Sequence, residues 1–202
     1  GLVISISFGV GFLFAHLSKE RIPGIDTEGI LWPSPPKVNA FFLEDIEKNP
    51  FTLENLTGRW SILFFGFANC PDICPPTLQS MTKAESVLRS NPAFGESGQL
   101  IFVSVDPGRD TPEILKVYTN HFSPQLIAVT GPENELDILT RSVGAIYLKR
   151  KTNSKSYNID HSAGLFFISP EGFLLSVLTP PIFAQGIIDR FEKIVSFHRK
   201  LL

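Results

Sequence analysis

Two cysteines are all that this chain of 202 residues carries. One pair cannot be the main device holding together a domain of this size, so a disulfide-stapled scaffold is excluded. Clustered charge is missing too. Lys and Arg number 18 against 20 Asp and Glu, a net charge of −2, with no basic or acidic blocks. A nucleic-acid groove needs clustered Lys and Arg, so no nucleic-acid partner is expected. The one short basic run, Lys149-Arg150-Lys151, reads as an exposed hairpin tip. There is no internal repeat. Histidine is scarce, at four residues. A closed structural zinc site normally takes four protein ligands, so here it would need a second histidine or an acid.

What is present is an ordinary globular composition, 43% hydrophobic and 19% charged, long enough for one domain with a substantial core. Residues 1–17 carry no charge. At ~1.5 Å per residue they would span about 25 Å as a helix, slightly under the ~30 Å hydrocarbon core. The chain does not begin with Met, and the span is expected to extend further upstream. No small-x-small cleavage site follows, so a single N-terminal membrane anchor is the better reading than a cleaved signal peptide. His16 lies within this run, as an interfacial or packed residue rather than a ligand. Residues 18–37, punctuated by Pro23, Gly24, Gly29, Pro33, Pro35 and Pro36, read as a linker. Residues 38–202 read as the folded domain.

Within that domain, apolar runs alternate with helical patterns. Phe41 to Leu43 reads as a short strand, followed by a turn through Glu47-Lys48-Asn49. Trp60 to Gly66 and Leu100 to Val105 are continuous apolar runs, as expected of strands buried on both faces. Pro75 and Pro76 suit a first helical turn, and Leu78, Met81, Glu85 and Leu88 follow at helical spacing. Asp110-Thr111-Pro112-Glu113 looks like a helix start with a capping side chain. Leu126 to Val129 predicts a strand, Pro132 to Val143 a helix, and Ala145 to Leu148 and Leu165 to Ile168 further strands separated by a polar stretch. Ser169-Pro170-Glu171-Gly172 turns into Phe173 to Leu178 as a hairpin. Phe183 to His198 is an amphipathic helix with Ile187, Ile188, Phe191, Ile194 and Val195 on one face. The order predicts an α/β fold, a thioredoxin-like mixed sheet flanked by helices.

The two cysteines fall together in Cys70-Pro71-Asp72-Ile73-Cys74, at the carboxyl end of a buried strand, where α/β sheets place ligands. Cys74 lies at a helix start, where the dipole and free amides favour thiolate. Three spacer residues depart from the usual Cys-x-x-Cys of dithiol oxidoreductases and leave room for an ion. Pro71 and Pro75 stiffen the loop. His161, in Tyr157-Asn158-Ile159-Asp160-His161, follows a polar stretch from which it can come back over the helix start. Two thiols and one imidazole are a soft set that suits Cu(I), and with a water or carboxylate the set could hold Cu(II). The same thiols can exchange electrons as a disulfide. His121 and His198 fall in helices, at positions suited to surface or capping roles. Asp72, Asp106, Asp110 and Asp160 are candidates to orient a ligand or receive a proton. For Asp110 a helix cap is an equal alternative, and for Asp106 a turn.

Three stretches, Phe65 to Pro75, Val103 to Pro112, and Asp160-His161 before a strand, resemble the SCO/SenC copper-binding proteins. The resemblance covers roughly residues 38 to 198. Its turn Glu47-Lys48-Asn49 stands where a glycine-containing turn is common, and the stretch before His161 is rich in Lys, Asn and Ser. The resemblance implies a membrane-tethered thioredoxin-like domain binding copper through Cys70, Cys74 and His161. It implies a copper chaperone that assists assembly of the dinuclear copper centre of cytochrome c oxidase, with subunit II or another copper-accepting protein as partner. The alternatives are a thiol-disulfide oxidoreductase using Cys70 and Cys74 on a membrane partner, and a redox or copper sensor. Multiple-turnover catalysis is not expected as the main activity. A peroxidase reading has only fold-level analogy behind it. The expected location is the bacterial periplasmic face of a membrane, since no Arg- and Ser-rich transit segment is seen. The intermembrane-space face of the mitochondrial inner membrane is the alternative.

Overall fold

The computed structural model describes residues 28–31, 33–95, 97–151 and 157–200. The expected anchor at 1–17, with His16, lies outside the described residues, as does most of the linker. Among the described residues no helix is long and apolar enough to cross a membrane.

Two six-residue strands, β3 (Ser61–Gly66) and β4 (Gln99–Ser104), are buried at every position and pair in parallel. Unbroken apolar runs are what a strand covered on both faces demands. β5 (Ile127–Thr130) continues the parallel set beside β4. On the far side of β3, β8 (Leu165–Ile168) and β9 (Leu174–Leu178) add antiparallel strands, so the sheet is mixed. A short hairpin, β1 (Phe42–Asp45) and β2 (Pro50–Thr52), closes the other edge, giving the order β2-β1-β5-β4-β3-β8-β9. In its turn Lys48 adopts a positive φ of 63°, while the Asp45 carboxylate accepts from the amides of Glu47 and Asn49. Asp45 thus supplies turn chemistry without the usual glycine.

Helices fill the connections. A single turn, α1 (Leu53–Leu56), follows β2. The crossover from β3 to β4 is α2 (Cys74–Ser90), with Pro75 and Pro76 in its first turn. Its buried residues Cys74, Thr77, Leu78, Met81, Ala84, Glu85 and Leu88 recur at three and four, one helical face. That face packs against α5 (Ala184–Arg199), which buries Ile187, Ile188, Phe191, Ile194 and Val195. Phe191 holds the seam, meeting Trp60 and Phe94 edge to face at 5.5 and 5.4 Å. The remaining helices are α3 (Pro112–Asn120) and α4 (Glu133–Ser142).

Sequence and structure differ at four places. The strand expected at Ala145 to Leu148 is β6 (Tyr147–Lys151), so Lys149 to Lys151 belong to a strand rather than to a hairpin tip. The polar stretch conceals β7 (Tyr157–His161), whose burial alternates with Ile159 turned inward and Asn158 and Asp160 outward. Among the described residues β6 and β7 pair only with each other, as an antiparallel ribbon separate from the main sheet. The cap of α3 is Thr111, whose hydroxyl accepts from the Ile114 amide, and not Asp110. Packing also begins upstream of Val38: Ile30 is buried, Leu31 donates to the Leu175 carbonyl, and Leu174 donates to the Pro36 carbonyl.

Candidate metal centre

Parallel strands β3 and β4 end side by side, and the chain leaving each builds one wall of a site. After Gly66 the backbone turns, with the Cys70 amide donating to the Phe67 carbonyl, and then enters α2 at Cys74. Gly66 is required here by close approach. A Cβ at this position would stand 2.7 Å from Cys74 Sγ and 2.8 Å from the Phe102 ring. The third side chain arrives from the ribbon, where His161 closes β7 opposite Tyr147.

Cys70, Cys74 and His161 meet. His161 Nε2 lies 3.9 Å from Cys70 Sγ and 3.5 Å from Cys74 Sγ, and the three atoms fall within 4.8 Å of one another. Both cysteines are free thiols and both are buried, Cys74 completely and Cys70 at 8% exposure. The Phe64 and Phe67 rings meet the imidazole edge on, at 6.0 and 5.8 Å. Nδ1 sits 3.1 Å from the Ser162 carbonyl, which can only accept. Nδ1 therefore carries the ring proton, and Nε2 keeps its lone pair toward the sulfurs. A backbone carbonyl, not a carboxylate, sets the tautomer.

The charge is unequally shared between the thiols. Cys70 falls to about 4, chiefly because the Cys74 thiol hydrogen-bonds to it, with the backbone at Cys74 and Asp72 adding to the effect against the cost of burial. Cys74 is held protonated far above the ordinary thiol range, by its bond to Cys70 and by burial. The thiolate therefore sits on Cys70, held chiefly by the Cys74 thiol, rather than on Cys74, the first residue of the helix.

The four aspartates divide. Asp72 and Asp160 are exposed, and Asp160 pairs with Arg150 on the outer face of the ribbon. Asp110 is fully buried; its Oδ2 accepts from the Ala68 amide at 2.8 Å and the Ser104 hydroxyl at 2.6 Å. It ties the cysteine loop to the end of β4, and burial raises its carboxyl above the usual range. Asp106 is equally buried and binds Arg109 and the Tyr157 hydroxyl. Neither touches the imidazole. His121 caps the end of α3 and packs on Phe122, and His198 pairs with Glu171 beside Trp60, so both lie outside the site. Gly66, Arg109 and Tyr157 escaped the sequence reading. The period-two alternation of Tyr157, Ile159 and His161 was the available signal for the last.

The SCO1/SenC family model matches residues 33–196. The chain belongs to the SCO1/SenC family. It is 37% identical over 186 residues to the mitochondrial protein SCO1 of Saccharomyces cerevisiae, spanning 88% of this chain and 62% of that one. An SCO2-like protein of Rickettsia prowazekii is 31% identical over 198 residues, 95% of this chain and 94% of its own. Among solved structures, Arabidopsis thaliana ScoI with copper bound superposes with a TM-score of 0.71 at 32% identity, covering 78% of this chain and 97% of that chain. Yeast Sco1 with copper bound gives 0.72 at 31%, covering 81% and 90%.

Proposed function

We propose that this SCO/SenC domain carries one copper ion as cargo, held by Cys70 Sγ, Cys74 Sγ and His161 Nε2, and delivers it to a copper-accepting protein. The proposed acceptor is cytochrome c oxidase subunit II, at its dinuclear copper centre. The observation that carries the reading is the convergence of these three soft ligand atoms within 4.8 Å, with the imidazole lone pair directed at them. Solved relatives in the same fold hold copper. The proposed setting is a membrane tether through residues 1–17, with the domain on the bacterial periplasmic side, or on the intermembrane-space side in mitochondria.

Chemically, Cys70 is already a thiolate and needs no proton loss to bind. Cys74 must give up its proton, so uptake releases one proton and tightens as pH rises. The cation then offsets the mutual repulsion of two buried thiolates. The test is metal analysis of the full chain loaded with Cu(I) under reducing conditions. One copper per chain is expected, with weaker retention by His161→Ala, whose circular dichroism stays unchanged. Equal uptake by both proteins would remove His161 from the ligand set.

The thiol pair also favours a second reading, reduction of a partner's disulfide. The Cys70 thiolate would attack one partner sulfur, forming a mixed disulfide and expelling the other as thiolate. Cys74, losing its proton, would then attack Cys70, closing a Cys70–Cys74 disulfide and leaving the partner reduced by two electrons. Under this reading His161→Ala keeps exchange activity, whereas Cys70→Ser and Cys74→Ser each abolish it.

A further inference from the structure

Among the described residues, the ribbon that carries His161 makes no backbone ladder with the main sheet. A two-stranded hairpin is marginal on its own in water, so side chains must dock it. On β7 the inward positions are Tyr157, Ile159 and His161, since alternate residues of a strand share a face. Ile159 is buried against the core. At the other end of the strand, about 13 Å from His161 at ~3.3 Å per residue, Tyr157 enters a dense polar cluster.

Its hydroxyl donates to Asp106 Oδ1 at 2.5 Å. The Arg109 guanidinium lies over the Tyr157 ring at 4.0 Å. Arg109 Nε binds the other oxygen of the same aspartate, and its Nη1 donates to the Tyr157 carbonyl at 3.0 Å. Arg109 also faces the Phe67 ring at 5.7 Å, the same ring that packs against His161. Asp106 is wholly buried, and these two donors occupy both of its carboxylate oxygens. A Cβ at Gly108 would stand 3.4 Å from the Tyr157 hydroxyl, so the turn lies in contact with it.

We infer that Asp106, Arg109 and Tyr157 form a latch that docks the β6–β7 ribbon and thereby positions the His161 imidazole over the two sulfurs. These are positioning residues and touch no ligand atom. The latch springs from the turn after β4, beside the strand end that bears the cysteine loop, so both walls of the centre share one rigid origin. Removing Tyr157 frees the far end of β7 and lets His161 sample positions away from the sulfurs. The sulfur pair, held by β3 and α2, is untouched.

The inference rests on His161 being a ligand, and the test separates the two. Cu(I) affinity of the full chain is measured against a chromophoric Cu(I) chelator for Tyr157→Ala and Tyr157→Phe, each in the wild-type and the His161→Ala backgrounds. Tyr157→Ala should weaken binding about tenfold in the wild-type background, the scale of lost support around a metal ligand. In the His161→Ala background its effect should stay within about twofold, as for changes acting only through the missing ring. Tyr157→Phe keeps the stack on Arg109 and should recover part of the loss. An equal loss in both backgrounds would show a merely structural role and overturn the latch, as would no loss in wild type while His161→Ala still weakens binding. If His161→Ala itself changes nothing, the ligand assignment falls and takes the latch with it.

Discussion

At the scale of single residues, the site's chemistry turns on asymmetry between two chemically identical thiols. Cys70 accepts hydrogen bonds from its surroundings, while Cys74 donates to Cys70 and is sealed from solvent. Cys70 also retains the greater exposure. In the metal-free, reduced protein, alkylation of Cys70 should therefore follow a thiolate that is already fully formed. A thiol near its ordinary pKa of about 8.5 reacts on the order of a hundredfold faster at about pH 8.5 than at about pH 6. With Cys70 near 4, the rate should be nearly flat across that window, as followed by mass spectrometry of the labelled peptide. A steep rise would place the charge elsewhere. Cys70, Cys74 and His161 were legible in the sequence because their side-chain chemistry is rare and clustered. Asp110 and Thr111 were not separable, because both are good capping residues one position apart; only burial of the Asp110 carboxylate under the cysteine loop decides between them. Gly66 was silent too, since its need for space arises from Cys74 and Phe102 on other elements.

At the scale of elements, legibility followed hydrophobic periodicity. β3, β4 and α5 announce themselves by long apolar runs or a clean helical face. β7 did not, because it belongs to a ribbon outside the main sheet and buries one apolar side chain, Ile159. β2 and α1 are only three and four residues long, too short for a period to register. The seam between α2 and α5 is where an element prediction is sharpest. Phe191 is fully buried between Trp60 and Phe94. Phe191→Ala should cost roughly 3–5 kcal/mol in urea unfolding, the range for deleting a buried ring. The loss should appear in the metal-free protein as well, since no atom of Phe191 belongs to the centre. A cost below about 1 kcal/mol would mean the seam can collapse around the gap.

At the scale of the whole molecule, the proposed binding is linked to folding, because the native chain brings the three candidate ligand atoms together. Cu(I) at a free concentration a hundredfold above its dissociation constant should add about 2.7 kcal/mol. For a domain of this size that raises the melting temperature by roughly 5–10 °C, and His161→Ala should show a smaller rise at the same free copper concentration. Calorimetry in a buffered Cu(I) solution reads this directly; an identical shift in both proteins would mean the ion is held without the imidazole.

The ring nitrogen stands 91 positions along the chain from the first sulfur and 87 from the second. The thiols can find each other as soon as one loop and one helical turn exist. The imidazole joins them only where β7, paired with β6, docks through Ile159 on the core. A copy cut before residue 161 would thus keep a bare dithiol, fit for oxidation but deprived of the imidazole. A complete three-atom set would require that residues 70 to 161 fold together.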